Sequence, residues 1–138
     1  MVGKAESTAE ILAGKGISAA VLNARFIKPL DEELIIQYAD STGSIFTMED
    51  HVLTGGFGSA VMALLSSNGR ENALTYRFGL PDCFVEHGDI TQLQKKYGLD
   101  PESMATVIAD RRKKVKKAKK ARKAVKSDKS TALYLIRR

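Results

Sequence analysis

The residues able to do chemistry lie close together. Glu49-Asp50-His51 is the one place where two carboxylates and an imidazole stand in a row, and Gly55-Gly56-Phe57-Gly58 follows within a few residues. An acid beside a histidine can move protons, and α/β folds often place sites at the carboxyl end of a strand. Three consecutive residues of an extended chain, however, do not point the same way. A shared catalytic or metal role needs partners from elsewhere. His87, in Val85-Glu86-His87-Gly88, is the other histidine, and two histidines alone do not make a metal site. Hydrogen bonding to the neighbouring loop or to a partner subunit is the simpler role for Glu49, Asp50 and His51.

The glycines Gly55, Gly56 and Gly58 permit positive φ and close backbone approach, and a helix starting behind them offers free N–H groups to an anion. The run is not a P-loop, because no Lys-Ser/Thr pair follows. Nor is it the dinucleotide G-x-G-x-x-G, since the spacing differs and no acidic residue ends the next strand. Three readings stay open: a tight strand-to-helix joint, an interface, or an anion site. Cys83, the only cysteine, rules out an intramolecular disulfide and suits a reducing, cytoplasmic setting. Between Asp82 and Phe84 it is expected as a small buried hydrophobe rather than a nucleophile. No Ser/His/Asp or Cys/His spacing suggests covalent catalysis.

The surrounding elements must position these groups. Val2 to Lys15 reads as a helix, with Ala5, Ala9 and Leu12 on one face and Gly14 and Gly16 ending it. Ile17 to Asn23 is a short apolar strand. Asp31 opens a helix carrying Leu34, Ile35 and Tyr38. Ser44 to Met48 is the second strand, ending at the polar triplet. Ser59 to Ser67 continues as a small-residue helix closed by Asn68-Gly69. Asn72 to Phe78 is a third strand, and Gly79-Leu80-Pro81-Asp82 a turn. Asp89 to Tyr97 is a short helix stopped by Gly98. Asp100 and Pro101 then cap and open a last helix from Glu102. This alternation is that of an α/β layer fold with a small, mostly parallel sheet. It opens on a helix, without the strand that normally starts such a fold, and so an exposed sheet edge is expected.

Length allows one domain, and no apolar run approaches a bilayer span or a signal-peptide core. The net charge of +6 conceals a division. Residues 111–138 hold 14 Lys/Arg and one acid, whereas residues 1–110 hold 8 basic and 15 acidic residues. The boundary falls near residue 110. The basic tail has good helix propensity but severe self-repulsion, and reads as a frayed continuation of the last helix or a disordered arm. Ser130 to Ile136 could add a short strand or an apolar anchor. Lys113, Lys114, Lys116, Lys117, Lys119, Lys120, Arg122 and Lys123 are candidates for contacting nucleic acid or another polyanion. Such contact would be salt-dependent and without base readout, because no aromatic residue interrupts the basic run.

Several blocks, read in order, resemble the C-terminal domain of the transketolase family of thiamine diphosphate enzymes, in its 1-deoxy-D-xylulose-5-phosphate synthase branch. They are Ala24-Arg25-Phe26-Ile27-Lys28-Pro29-Leu30-Asp31, Phe46-Thr47-Met48-Glu49-Asp50-His51 and Gly55-Gly56-Phe57-Gly58-Ser59-Ala60-Val61. Gly79-Leu80-Pro81-Asp82-Cys83-Phe84-Val85-Glu86-His87-Gly88 and Tyr97-Gly98-Leu99-Asp100 follow. The resemblance covers roughly residues 2–110 and implies a three-layer domain lacking its usual first strand, followed by the basic tail.

It further implies a three-domain, homodimeric parent that condenses pyruvate with glyceraldehyde 3-phosphate, losing CO2, for isoprenoid, thiamine and pyridoxal synthesis. In such a parent the first two domains hold thiamine diphosphate and Mg²⁺, and the third serves packing and dimerisation. No cofactor motif, a G-D-G followed by Asn, occurs here, so no catalytic residue and no cofactor is assigned to this chain. The expected partners are the remaining domains, in cis or in trans, and a second copy. Glu49 to His51, Gly55 to Gly58 and His87 are expected at a domain or dimer interface. The other reading is a repurposed binding module directed to a polyanion by its tail.

Overall fold

The computed structural model describes the backbone of residues 1–122 and 132–136, and side chains through residue 114. In chain order the elements are α1 (Val2–Gly14), β1 (Ala19–Asn23), α2 (Glu32–Thr42), β2 (Ser44–Val52) and α3 (Phe57–Ser67). β3 (Leu74–Leu80), α4 (Ile90–Lys96), α5 (Pro101–Arg122) and β4 (Ala132–Ile136) complete them. Local chemistry sets the helix starts. The side chains of Asp31, Asp89 and Asp100 accept hydrogen bonds from the N–H groups of Leu34, Gln92 and Ser103, satisfying donors that a helix start leaves unpaired. α2 stops where Gly43 turns left-handed, at φ 64°.

The four strands are all parallel, in the order β1-β4-β2-β3. Successive residues of β2 feed opposite faces. Ile45 packs with Ile35 and Ala39 of α2 and with Phe57, Val61 and Leu65 of α3. Phe46 and Met48 pack with Ala5 and Leu12 of α1, with Leu99, and with Met104 and Ile108 of α5. The result is three layers, helices on both faces of a small parallel sheet: the parallel sheet as expected from the alternation, and the three layers as the resemblance implied. Burying each such large side chain contributes about 1.5–3 kcal/mol.

Three expectations change. β2 does not end at Met48 but runs through Glu49, Asp50 and His51 to Val52. β3 likewise extends through Gly79 and Leu80, expected as a turn, because a Cβ at residue 79 would approach Glu49 Cγ, the His51 carbonyl and Leu53 Cδ2 to 2.9 Å each. Glycine lets the two strands stay paired, with a register slip between Met48 and Val52. Finally, the described sheet has a fourth strand beyond the three expected from residues 1–110. Ala132–Ile136 pairs between β1 and β2, leaving β1 and β3 as the edges.

The charge step at residue 111 falls inside α5, which continues to Arg122. The first basic residues belong to the packed body. Arg112 is buried, and the Arg111 guanidinium lies 4.4 Å from the centre of the Tyr76 ring. None of the helices, among the described residues, is long and apolar enough to cross a membrane.

Burial predicts an order of mutational cost. Ile108→Ala should lower the unfolding free energy by about 2–5 kcal/mol, and Asp31→Ala, which removes only a cap, by about 1 kcal/mol. Urea unfolding of the two variants checks the ranking.

Candidate functional site

The Glu49 carboxylate is fully buried at the end of the packed part of β2. It accepts the N–H of Phe57 at 2.7 Å on Oε2 and the N–H of Gly58 at 3.1 Å on Oε1. These are first-turn amides of α3, whose N-cap, Gly56, has no side chain to serve them. A strand carboxylate therefore caps the helix, and its charge sits at the positive end of the helix dipole. The bonding needs bare backbone around it. A Cβ on Gly56 would run into Glu49 Oε2, and one on Gly58 would meet Thr47 Oγ1 at 2.5 Å and Arg77 Cδ at 2.7 Å. Gly55 turns the chain into this joint at φ 69°.

A second layer of bonds closes the loop. Arg77 Nη1 donates to the Leu53 carbonyl at 2.8 Å and to Ser59 Oγ at 2.7 Å. Ser59 Oγ donates to the same carbonyl at 2.9 Å. Arg77, Ser59, Thr47 and Gly79 were not among the site candidates named from the sequence. The only charged residue in the strand run from Asn72 to Phe78 was the available signal for Arg77.

The structure thus joins Glu49 to Gly56 and Gly58 and separates the rest. Asp50 and His51 are exposed, and His51 Nδ1 lies 3.1 Å from the Val52 carbonyl. His87 is exposed on the loop after β3. Cys83, expected buried, is also exposed there, because that loop runs over the surface. Glu86 in the same loop pairs with Lys96 and accepts from Tyr97 Oη at 3.2 Å. The Lys96 hydrogen bond holds the Glu86 carboxyl below the usual carboxylate range. Near the start of α1, burial pushes the Lys4 ammonium down, against the opposing pull of Asp50 and Asp100.

As a seat for the Mg²⁺ of a diphosphate cofactor this edge does not fit. Both Glu49 oxygens are engaged by backbone N–H groups. Among the described residues, no cluster of three or more His, Cys, Asp or Glu could hold a metal ion. The donors that an exogenous anion would use at Phe57 and Gly58 are also taken. Of the basic candidates, Lys113 and Lys114 are exposed, Lys113 lying 3.7 Å from Asp110. The side chains of Lys116, Lys117, Lys119, Lys120 and Arg122, and all of Lys123, lie outside the described residues.

Residues 1–104 match the family model described as transketolase, C-terminal domain. A 1-deoxy-D-xylulose-5-phosphate synthase of Pelotomaculum thermopropionicum is 53% identical over 111 residues, covering 80% of this chain and 17% of the relative. The synthase of Heliobacterium modesticaldum is 52% identical over 107 residues, covering 78% of this chain and 16% of the relative. The chain thus spans about a sixth of the length of the curated relatives it matches. A solved structure described as a split gene transketolase, inactive beta4 tetramer, superposes with a TM-score of 0.72 and 33% identity, covering 79% of this chain and 35% of that one.

Removing the Glu49 carboxylate should be costly and removing its neighbour cheap. Glu49→Ala strands two buried N–H donors and should cost about 3 kcal/mol, whereas Asp50→Ala, at an exposed site, should stay within about 0.5 kcal/mol. Thermal and urea unfolding of both variants tests this.

Proposed function

The chain belongs to the transketolase C-terminal domain family, and we propose that it serves as the non-catalytic packing and dimerisation part of a thiamine-diphosphate-dependent 1-deoxy-D-xylulose-5-phosphate synthase. The parent reaction joins pyruvate to glyceraldehyde 3-phosphate with loss of CO2, in the cytoplasm. Thiamine diphosphate and Mg²⁺ belong, on this reading, to the remaining domains of the parent.

The observation that carries the proposal is the use made of Glu49. Its buried carboxylate is spent on capping α3 rather than presented to a ligand. What this chain offers outward is surface. Phe84 is 97% exposed, Ile90 70% and Phe26 65%, a share of large apolar side chain that suits burial against a neighbouring domain or a second copy. Asp50, His51 and His87 are exposed polar groups available to such an interface. The identities to synthases near 50% support the choice of parent.

The test is an assay of the purified chain with pyruvate, glyceraldehyde 3-phosphate, thiamine diphosphate and Mg²⁺. The expected result is no product above the rate of cofactor alone. Turnover that scales with protein concentration would overturn the proposal.

A further inference from the structure

α5 changes character halfway along. Its buried positions are Met104, Ala105, Ile108, Ala109 and Arg112, spaced three and four apart so that they share one face. Carried on at the same spacing, that face next falls on positions 116, 119 and 120, all of them lysines. From residue 113 to its end at Arg122 the helix holds seven basic residues and no acid, the others being Val115, Ala118 and Ala121. A stripe of lysines is not buried on an apolar core, so the packing that holds α5 to the body ends near Arg112. The helix itself runs on for ten residues, about 15 Å.

This overhang lies away from the surface assigned to packing. Asp100, the α5 cap, and Asp50, near the carboxyl end of β2, are both within electrostatic reach of Lys4 in the first turn of α1. Both helices therefore start at the carboxyl edge of the sheet. At the other end Arg111 stands over Tyr76, in the first half of β3, so residues 113–122 continue past the amino edge. There α1 ends in Ile11 to Lys15, without an acid to neutralise the overhang. The exposed Phe26 and Phe84 follow the carboxyl ends of β1 and β3, at the opposite end.

We propose that the overhang of α5, residues 113–122, is a docking surface for duplex nucleic acid, held through its phosphates without base readout. At 100° per residue the seven basic positions leave no gap wider than about 80° around the helix. A helix with its side chains is about 10–12 Å across and the major groove about 12 Å wide, so phosphates on both strands come within reach of such a rod. A membrane surface fits it poorly, since an interfacial helix needs a broad apolar face. The apolar residues that follow, Leu133, Leu135 and Ile136, are taken up by β4 inside the sheet. An acidic protein partner fits no better, because the overhang carries no aromatic anchor. Lysines dominate it, and they read charge rather than sequence.

The test uses the full chain, because truncation within α5 would also remove β4, through which β1 joins the sheet. Fluorescence anisotropy with two duplexes of unrelated sequence should give equal affinities. Four or more phosphate contacts make the log–log salt slope about −3.6 or steeper, so that raising salt from about 50 to about 200 mM weakens binding roughly 150-fold. The triple variant Lys116→Gln, Lys119→Gln, Lys120→Gln should make the slope shallower by about 2.7, with the urea midpoint unchanged. A shallower slope in the unmodified chain, an unaltered slope in the variant, or preference for one sequence would overturn the proposal. Phosphatidylserine vesicles bound as tightly as duplex at the same salt would overturn it in favour of a membrane. Unfolding of the variant would show the lysine stripe to be packed, and would count against the docking surface equally. No readout involves turnover, so catalysis by the chain would defeat the packing role while leaving this surface untouched.

Discussion

A fully buried carboxylate has to find hydrogen-bond donors, because leaving it unpaired would cost several kcal/mol. Glu49 finds them in two backbone N–H groups at the start of α3, and much of the local structure follows from that requirement. The helix must begin beside the end of β2, so the connecting turn has to be tight. Gly56 and Gly58 lack the Cβ atoms that would collide with the carboxylate and with Thr47 and Arg77. Across the ladder, Gly79 makes room for Glu49 Cγ. Arg77 and Ser59 then fasten the loop carbonyl of Leu53. The glycine-rich turn is in this light a structural joint, with its positive end neutralised from within.

The joint also orders the layers. β2 is sandwiched by α1 and α5 on one face and by α2 and α3 on the other, and Glu49 ties its carboxyl end to α3. The surface left over, with exposed Phe26, Phe84 and Ile90, is what a packing domain presents to its neighbours. The basic segment begins as part of this body, through Arg111 and Arg112, and leads on to the strand that holds β1 in the sheet.

Legibility in the sequence followed the range of the interaction concerned. Asp100 was readable as a cap, and Asp31 as the opening of a helix, because the bonds they make are three residues long. The apolar runs gave the helices, three strands and the layer class, because period and composition are local. Strand ends were missed where polar residues suggested a stop. Glu49 to His51 looked like a terminus, yet pairing with β3 carries the strand on to Val52. Glu49 itself was visible as a candidate, but its partners lie eight and nine residues on, across a turn whose shape the sequence does not display. Arg77 and Ser59 were silent for the same reason, being 18 residues apart. The seat of Ala132–Ile136 between β1 and β2 depends on contacts more than 80 residues away, beyond any local pattern.

The measurement that bears most directly on the Glu49 joint is amide hydrogen exchange at Phe57 and Gly58. First-turn helix amides ordinarily have no internal partner and exchange quickly. Capped by a buried carboxylate, these two should instead exchange as slowly as core amides of β2, and should become fast in Glu49→Ala, which leaves no acceptor for either. Rapid exchange of both amides in the unmodified chain would contradict the joint and the non-catalytic role drawn from it.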